Sequence, residues 1–370
     1  MQLIQATRDA VLKPLTMVVG IVERRNTLPI LANVLVRKDG ERVAFVANDL
    51  EVQITTHAAF GVGEEAAATT VGARKLLDIL RALPESGTVR LGLDDGKLSV
   101  QSGRSRFALQ TLAAADYPTV ALAEQWEASF TMSQKALRHL FNMVHFAMAQ
   151  QDIRYYLNGL LFVLEPGHVR TVATDGHRLA HSGTQVEGID TRHDVIIPRK
   201  TVHEMQRLLS DDDEAVVRID VAATQIRFSF DDIEVVSKLV EGKFPDFTRV
   251  IPTGYTRHFN ISREALQASL QRAAILTTDK LKGVRLQLSD HLLRISSSNA
   301  EQEEAREELE VDYDSEALDV AFNVSYLLDV LGNVKVDTVR WSVQPDVNAS
   351  ALLTLPDDDE FKYVVMPMRI

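Results

Sequence analysis

The candidate groups for catalysis in this sequence are histidines and aspartates. Asp175, His177 and His181 stand close enough together to indicate an acid–base pair or metal ligands, the two kinds of site that carboxylate and imidazole groups build. Gly176 marks a turn, however, and His181 lies in a predicted strand with no second carboxylate at ligand spacing. Three more imidazoles stand elsewhere, at His145, His168 and His193. We therefore expect no catalytic residue, no metal and no cofactor, with an enzyme kept as one alternative.

A second segment superficially resembles a phosphate-binding loop. Gly92-Leu-Asp-Asp-Gly96-Lys97-Leu98 is one residue short of that motif and lacks the Ser or Thr that binds magnesium, so it favours a hairpin turn. The sequence has no cysteine, which excludes a disulfide framework, an iron–sulfur cluster, a thiolate zinc site and a cysteine nucleophile.

The elements that must position these residues recur three times along the 370 residues. An amphipathic helix begins each copy after Thr7, Ser133 or Ser262, residue types that suit an N-cap. A second short helix follows midway, and alternating β-branched runs fill the rest. Pro14 predicts a kink in the first helix. The predicted helices are residues 7–22, 73–83, 133–148, 199–209, 262–276 and 324–331.

The repeats predict an α+β fold of three domains, each with two helices packed on antiparallel sheets. The predicted domains are residues 1–125, 126–253 and 254–370, near the size that a single hydrophobic core favours. The first residues lack a basic flank before an apolar stretch, and no window approaches the roughly 18 continuous apolar residues of a membrane span. We expect a cytoplasmic protein with no membrane partner.

Charge is divided unevenly between helices and sheets. The net charge is −12, yet the six predicted helices carry a formal charge of +7 and the remaining residues −19. Because a helix turns the face opposite its apolar stripe outward, nine cations should point away from the cores: Arg8, Lys13, Lys75, Arg81, Lys135, Arg138, Lys200, Arg207 and Arg272. No recognition helix, zinc-finger spacing or aromatic stacking motif accompanies them. The pattern is typical either of a surface that holds phosphates without reading bases or of ordinary solvated helix faces.

Five segments closely resemble the bacterial β sliding clamps, the β subunits of DNA polymerase III. They are residues 152–159 (DIRYYLNG), 171–180 (TVATDGHRLA), 237–246 (SKLVEGKFPD), 322–326 (FNVSY) and 363–369 (YVVMPMR). Residues 27–31 and 102–107 match the first domain, so the resemblance covers the whole chain. It implies the DNA-clamp fold, in which non-catalytic three-domain subunits close head to tail into a homodimeric ring around duplex DNA. Twelve helices about 8–10 Å apart would enclose a hole roughly 31–38 Å across.

The resemblance also implies three sets of functional residues. Sequence-independent DNA contact matches Arg25, Arg74, Gln151, Tyr155, Tyr156, Arg199 and Arg207, although tyrosines that cap a domain interface are an alternative. A pocket for partner peptides matches Leu157, Thr174, Gly176, His177, Arg178, Leu179, Pro245, Arg249, Val250, Tyr326, Ser350, Val364, Met366, Pro367, Met368 and Arg369. The dimer interface matches Lys75, Arg104, Arg106, Phe107, Leu109, Ile275, Leu276, Glu301, Glu303 and Glu304.

The implied partners are duplex DNA, a second copy of the chain, the DNA polymerase III α subunit, the clamp loader, and other polymerases and repair proteins that carry short clamp-binding peptides. The terminal segment 366–370 would ordinarily fray, but the resemblance implies an ordered pocket wall whose methionines adapt to different ligands. Residues 344–360, which include Ser350, match no family segment. A three-repeat scaffold that binds proteins but never DNA is the second alternative, and joint mutation of Arg25 and Gln151 separates it from a clamp.

Overall fold

The computed structural model describes residues 1–23, 28–278 and 282–369. The chain forms two compact units: Met1–Lys135 with Arg207–Leu239, and Ala136–Gln206 with Val240–Ile370. The division therefore runs through the second sequence repeat, and each unit combines parts of two repeats.

Within the described residues there are six α-helices, two in each repeat, as the sequence predicts. They are α1 (Arg8–Val19), α2 (Ala73–Ala82), α3 (Gln134–Val144), α4 (Arg199–Leu208), α5 (Arg263–Ala274) and α6 (Val324–Asn333). Helix α1 runs on through Pro14, so the expected kink does not divide it. Thr7 and Ser262 accept hydrogen bonds from the N–H groups of Ala10 and Ala265, which confirms both as N-caps. None of these helices combines the length and apolar character needed to cross a membrane.

The strands occupy the alternating segments between the helices. In chain order they are β1 (Gln2–Thr7), β2 (Asn33–Asp39), β3 (Arg42–Asn48), β4 (Val52–Ala59), β5 (Ala67–Gly72), β6 (Thr88–Asp94), β7 (Lys97–Ser102), β8 (Ser105–Leu112), β9 (Ala128–Ser133), β10 (Gly159–Glu165), β11 (His168–Thr174), β12 (Arg178–Gln185), β13 (His193–Pro198), β14 (Val216–Val221), β15 (Gln225–Phe230), β16 (Ile233–Lys238), β17 (Arg257–Ser262), β18 (Gly283–Ser289), β19 (Leu292–Ser298), β20 (Glu304–Glu310), β21 (Leu318–Asn323), β22 (Thr338–Val343), β23 (Ala351–Leu355) and β24 (Asp358–Val365).

In both units a sheet passes from one repeat into the next. The described strands of the first unit form one sheet in the order β1-β6-β7-β8-β5-β2-β3-β4-β16-β15-β14-β9. Its β4 pairs antiparallel with β16, placing Thr56 opposite Ile233. In the second unit the order is β13-β10-β11-β12-β24-β23-β22-β17, and Arg178 of β12 lies opposite Val365 of β24. The smaller sheet β20-β19-β18-β21 completes the second unit and leaves β20 at an edge.

The segment with the superficial phosphate-loop spacing is a hairpin turn, as predicted. Asp94 of β6 lies opposite Lys97 of β7, so the turn between them has two residues. Those residues, Asp95 and Gly96, have φ angles of 44° and 70°. Two consecutive positive φ values are the requirement of the tight turns that suit twisted hairpins.

Apolar side chains at helical spacing form the core under α1. Val11, Leu15 and Val18 are fully buried, and the helix contacts β3 and β4. Phe45 of β3 and Ile54 of β4 are fully buried as well. Each such side chain contributes about 1.5–3 kcal/mol on burial, which makes this stripe the main reason for the helix to lie on the sheet.

One device recurs in all three repeats, and the sequence did not predict it. An arginine from the first helix donates hydrogen bonds to carbonyl groups in the last turns of the second helix. The pairs are Arg8 Nε with the carbonyl of Leu80 at 3.0 Å, Arg138 Nε with that of Gln206 at 3.1 Å, and Arg263 Nη1 with that of Leu331 at 3.2 Å. A cation here satisfies orphan carbonyls at the negative end of the helix dipole. Arg8 and Arg138 are therefore tied to neighbouring helices, whereas the sequence predicts that they point away from the cores.

Candidate functional site

The second unit contains an apolar groove over a cluster of buried side chains. Leu157, Leu179, Phe244 and Val364 belong to this cluster, with Tyr156 packed against it. The cavity has a volume of about 240 Å³. Its lining residues are Arg154, Tyr156, Leu157, Thr174, Gly176, His177, Arg178, Leu179, Phe244, Pro245, Phe247, Val250, Val364 and Met366. A concave apolar surface edged by a few polar groups is the usual form of a binding site.

A tight turn between β11 and β12 forms one side of the groove. Thr174 Oγ1 donates to the carbonyl of Arg178 at 2.6 Å, and Asp175 Oδ1 accepts from the N–H groups of His177 and Arg178 at 2.9 and 3.1 Å. Gly176 has φ +90°, and a Cβ atom there would lie 2.9 Å from Nη1 of Arg154. The left-handed backbone favours glycine at this position, and a larger residue would also displace the end of the Arg154 side chain.

Arg178 ties the turn to helix α6 behind the groove. Its side chain is only 9% exposed and forms ion pairs with Asp175 at 3.1 Å and Asp329 at 2.5 Å. The guanidinium carbon lies 4.4 Å from the ring centre of Tyr326. Burial by itself lowers the pKa of Arg178, but Tyr363 and the carboxylates of Asp329 and Asp175 raise it above its ordinary value. The guanidinium therefore stays charged and fixes the turn in one position.

The C-terminal segment forms another wall of the groove. The N–H of Met366 donates to the carbonyl of His177 at 2.9 Å, and the N–H of Met368 donates to the carbonyl of Ala321 at 2.8 Å. These two bonds hold the chain past the last residue of β24, as expected of an ordered segment, whereas Ile370 lies outside the described residues. Met366 lines the groove with 47% of its surface exposed, so a flexible thioether is presented to whatever binds.

The structure gathers most of the predicted pocket residues around this groove. Six members of the predicted set do not line it: Arg249, Tyr326, Ser350, Pro367, Met368 and Arg369. Arg249 pairs with Asp246 at 3.0 Å, and Tyr326 lies under Arg178. The carbonyl of Ser350 accepts from Tyr255 at 2.5 Å, and the N–H of Met368 donates to the carbonyl of Ala321. Pro367 and Arg369 flank Met368 in the same segment.

Sequence reasoning missed three lining residues, Arg154, Phe244 and Phe247. Their positions in the sequence could have identified them, since each lies inside or next to a segment that resembles the clamp family. Tyr156, predicted to touch DNA, also lies in the groove.

The predicted DNA contacts fall in both units. In the first unit, Arg74 Nη2 donates to the carbonyl of Val22 at 2.7 Å and Arg207 Nη2 to that of Met17 at 2.6 Å, and both arginines are exposed. In the second unit, Gln151 has φ 55° and is exposed, as is Tyr155. Arg199 Nη1 donates to the carbonyl of Met148 at 3.0 Å. Arg25 lies outside the described residues.

The first unit has a strand with an open side at the predicted dimer interface. Strand β8 pairs with β7 along its length but meets β5 only at Thr111 and Leu112 among the described pairs. Phe107 on this strand is 39% exposed. Other predicted interface residues of the same unit are Lys75, Arg104, Arg106 and Leu109, of which the three cations are exposed.

The second unit carries the other predicted half of that interface. Strand β20 ends its sheet, and helix α5 contacts it. Ile275, directly after α5, is 76% exposed, and Leu276 follows it half-buried. The predicted glutamates Glu301, Glu303 and Glu304 are all exposed. The first unit therefore offers Phe107 with cations on and near β8, and the second offers Ile275 after α5 with glutamates at and before the start of β20.

The histidines considered for catalysis are dispersed. His181 is buried in β12, where Nδ1 donates to the carbonyl of Glu360 at 2.8 Å, and burial lowers its pKa. His168 Nε2 lies 3.5 Å from Glu360. In the part of the chain that the structure describes, no three His, Asp or Glu side chains are arranged to hold a metal ion.

Comparison with protein families accounts for most of the chain. The models of the DNA polymerase III beta subunit match in order: the N-terminal domain at residues 1–121, the central domain at 131–246 and the C-terminal domain at 248–369. The beta sliding clamp of Pseudomonas aeruginosa is 46% identical over 367 residues, and that of Escherichia coli K12 is 41% identical over 365 residues. Each alignment covers 98% of both chains.

Solved structures share the fold over the full length. A DNA polymerase sliding clamp from Pseudomonas aeruginosa, crystallised with a ligand, has 44% sequence identity and a TM-score of 0.94. A sliding clamp from Bartonella birtlesii bound to griselimycin has 37% identity and a TM-score of 0.95. Both comparisons cover 100% of each chain. The three repeats of helices on antiparallel sheets are therefore those of the clamp fold.

Proposed function

This chain belongs to the family of the DNA polymerase III beta subunit, the bacterial beta sliding clamps, and on that premise we propose that it tethers replication proteins to duplex DNA. Proteins of this family are accessory subunits without catalytic activity, and the same holds for this chain. Because a sliding clamp acts on the bacterial chromosome, we place this chain in the cytoplasm of a bacterium.

The observation that carries the proposal is the groove with its ordered C-terminal wall. An apolar cavity of about 240 Å³ suits a few side chains of a short extended peptide rather than a whole domain surface. Apolar anchors would enter over Leu157 and Leu179, while His177 and the methionine wall adapt to different sequences. We infer that the DNA polymerase III α subunit, the clamp loader, and other polymerases and repair proteins each present such a peptide.

We further propose that two copies close head to tail into a ring. A heterologous contact of this kind needs two different complementary surfaces on each copy. Strand β8 with Phe107 offers one, and strand β20 with Ile275 beside it offers the other. Addition of β20 to the open side of β8 would extend the ladder, and the exposed cations near β8 would face the glutamates near β20.

DNA contact in this proposal comes from cations on helices and is blind to sequence. Arg74, Arg199 and Arg207 would meet phosphates, and Gln151 and Tyr155 would meet the backbone from the loop before β10. Weak contacts of this kind allow sliding, because a ring holds DNA by encircling it and tight contacts would stop its movement. The acidic remainder of the chain discourages DNA from binding elsewhere.

The experiment that tests this function is retention on circular DNA. The protein is loaded onto nicked circular duplex with a clamp loader and ATP, and its retention is measured before and after the circle is cut. Retention on the circle with loss from the free ends is expected of a ring that slides. Equal retention on both forms would mean direct binding and would overturn the ring.

The alternative of a scaffold that never touches DNA is tested by the paired substitution of Arg25 and Gln151 with alanine. The clamp proposal expects weaker loading onto DNA while a groove-binding peptide keeps its affinity. Unchanged DNA retention would favour the scaffold.

A further inference from the structure

The first unit repeats the turn that forms one side of the groove in the second. In the turn between β3 and β4, Asp49 Oδ1 accepts from two of the N–H groups that follow it, at 3.0 and 2.8 Å, as Asp175 Oδ1 does in the groove. Leu50 has φ 78°, in the left-handed region that Gly176 occupies at φ 90°. The same local structure therefore occurs once in each unit.

The segment that packs beside this turn closes the position that the groove leaves open. Tyr117 packs with Leu35 and Val46 in a small buried cluster. Gln53 Oε1 accepts from the N–H of Val120 at 3.0 Å, which ties the segment to β4. An open space lies beside these contacts, over β2, β3 and β4.

This space is a cleft with a volume of about 750 Å³. The register of the strands arranges its floor in two rows. Val46 lies opposite Thr55 in the first row. In the second row, Ala44 lies between Arg37 and His57. Alternate residues of a strand share a face, so the rows are about 7 Å apart. The small side chain of Ala44 leaves a depression between two long ones.

Two guanidinium groups of the cleft have no partner. Arg37 and Arg42 are exposed, and neither side chain forms a hydrogen bond or ion pair with a residue that the structure describes. Lys38 donates to two loop carbonyls at 2.6 and 2.5 Å, and Glu234 lies 3.9 Å from an arginine of β15. Asp39, opposite Arg42 in the register, limits the positive charge. The planar fork of each guanidinium suits a carboxylate.

We propose that this cleft is a second docking site, which takes an extended acidic peptide from a partner protein. Alternate residues of an extended peptide also lie about 7 Å apart. An apolar side chain over Val46 would therefore place a carboxylate two residues on beside Arg37, and one four residues on beside Arg42. Leu122, which is 48% exposed, also lines the cleft and adds apolar surface. The site depends neither on contact with DNA nor on closure of a ring.

The test uses the full-length protein and a short fluorescein-labelled peptide in which aspartates stand two and four residues after a leucine, together with the peptide of reversed order. Fluorescence anisotropy at low salt measures the affinity of each. At least one order should bind with a dissociation constant below about 1 mM. Replacing the leucine with serine should weaken binding about fivefold, and replacing the two aspartates with asparagine at least about tenfold.

Three substitutions locate the peptide. Arg37→Glu should weaken binding about tenfold, because it removes a charge-assisted hydrogen bond and adds repulsion. Asp39→Asn should strengthen binding about threefold, because it removes the carboxylate opposite Arg42. Ala44→Phe keeps every charge but fills the floor between Arg37 and His57, so it should weaken binding at least about tenfold. Urea unfolding checks that each variant is folded.

Arg90→Glu is the matched control, because Arg90 is an exposed arginine on β6 of the same unit, and the affinity should not change. No binding of either peptide, equal binding of the leucine and serine peptides, or equal loss in Arg37→Glu and Arg90→Glu overturns the inference.

A chain that ends after Val365 separates this cleft from the groove. It should bind the acidic peptide as the intact chain does, because the wall that it lacks belongs to the groove. Loss of binding in this shortened chain would place the peptide in the groove and overturn the second site. Retention on circular DNA tests the proposed function independently of each of these outcomes.

Discussion

The peptide groove of the second unit and the proposed DNA-contacting arginines of the first unit hold their side chains in opposite ways. In the groove, Arg178 is buried between the carboxylates of Asp175 and Asp329 and the ring of Tyr326. The turn that carries it is fixed by hydrogen bonds, among them the one from the N–H of His177 to Asp175. In the first unit, Arg74 and Arg207 are exposed. A fixed, desolvated surface suits the binding of apolar peptide side chains, whereas exposed cations suit weak contacts that pass from one phosphate to the next.

The largest effect is expected when the groove loses a wall. A chain that ends after Val365 lacks the Met366 side chain and the backbone hydrogen bonds donated by Met366 and Met368. It should bind a clamp-binding peptide about 100-fold more weakly, as expected for loss of an interface centre. Direct binding to duplex DNA at low salt should not change. Isothermal titration calorimetry measures the affinity for the peptide, and fluorescence anisotropy measures the binding to duplex DNA.

Met366→Leu conserves volume and is the control for this truncation, with less than about fivefold loss expected. Equal affinity of the truncated chain and the intact chain would show that the segment is not part of the groove.

A smaller effect is expected at the ring contact. Phe107→Asp places a charge on the apolar part of β8 and should weaken self-association about 30-fold, since an unpaired charge is costly in an interface. Analytical ultracentrifugation over a range of concentrations measures the dissociation constant. Val216→Asp, an exposed apolar position elsewhere in the first unit, should leave it unchanged. A dimer that tolerates Phe107→Asp would place the contact on another surface.

Arg178→Lys tests whether the fixed guanidinium matters to the groove. Lysine keeps the charge but cannot pair with Asp175 and Asp329 together while stacking on Tyr326, so we expect about tenfold weaker peptide binding. Titration calorimetry measures the affinity and urea unfolding checks that the fold is intact. Undiminished affinity would mean that charge alone holds the turn.

The smallest effect is expected on the DNA side. Arg74→Ala with Arg207→Ala should lower the slope of log affinity against log salt by about 1.8, if each arginine meets one phosphate, and should leave peptide binding unchanged. Arg218→Ala is the control, because it removes an exposed arginine from β14. A slope that falls equally in both variants would point to a general effect of charge.

Much of the fold can be predicted from the sequence because the spacing of apolar residues and the positions of capping and turn residues determine helices and hairpins locally. The apolar spacing in α1 and the Ser262 cap of α5 predict helices within a few residues of their observed ends. The two residues Asp95 and Gly96 between alternating runs predict the hairpin. These features depend on neighbours in the chain, which a sequence displays directly.

Features that join distant segments were not predictable in this way. Nothing local to Arg8 or Arg138 indicates that each reaches a carbonyl of another helix, because the acceptor lies about 70 residues further on. Phe247 enters the groove for a similar reason, as a short helical turn after Pro245 brings it over buried His181. The sequence predicts that Tyr156 touches DNA or caps a domain interface, and neither prediction indicates its packing against the apolar cluster of the groove.

The ladders that cross from one repeat to the next have a mechanical consequence. Strand β4 pairs with β16 along five residue pairs, and β12 pairs with β24 along four. Bending either junction would break main-chain hydrogen bonds, so each junction is rigid and cannot act as a hinge. A load applied to the protein is then transmitted through these junctions without being absorbed there. A ring of two copies, as proposed, would therefore have to yield somewhere other than at these two ladders.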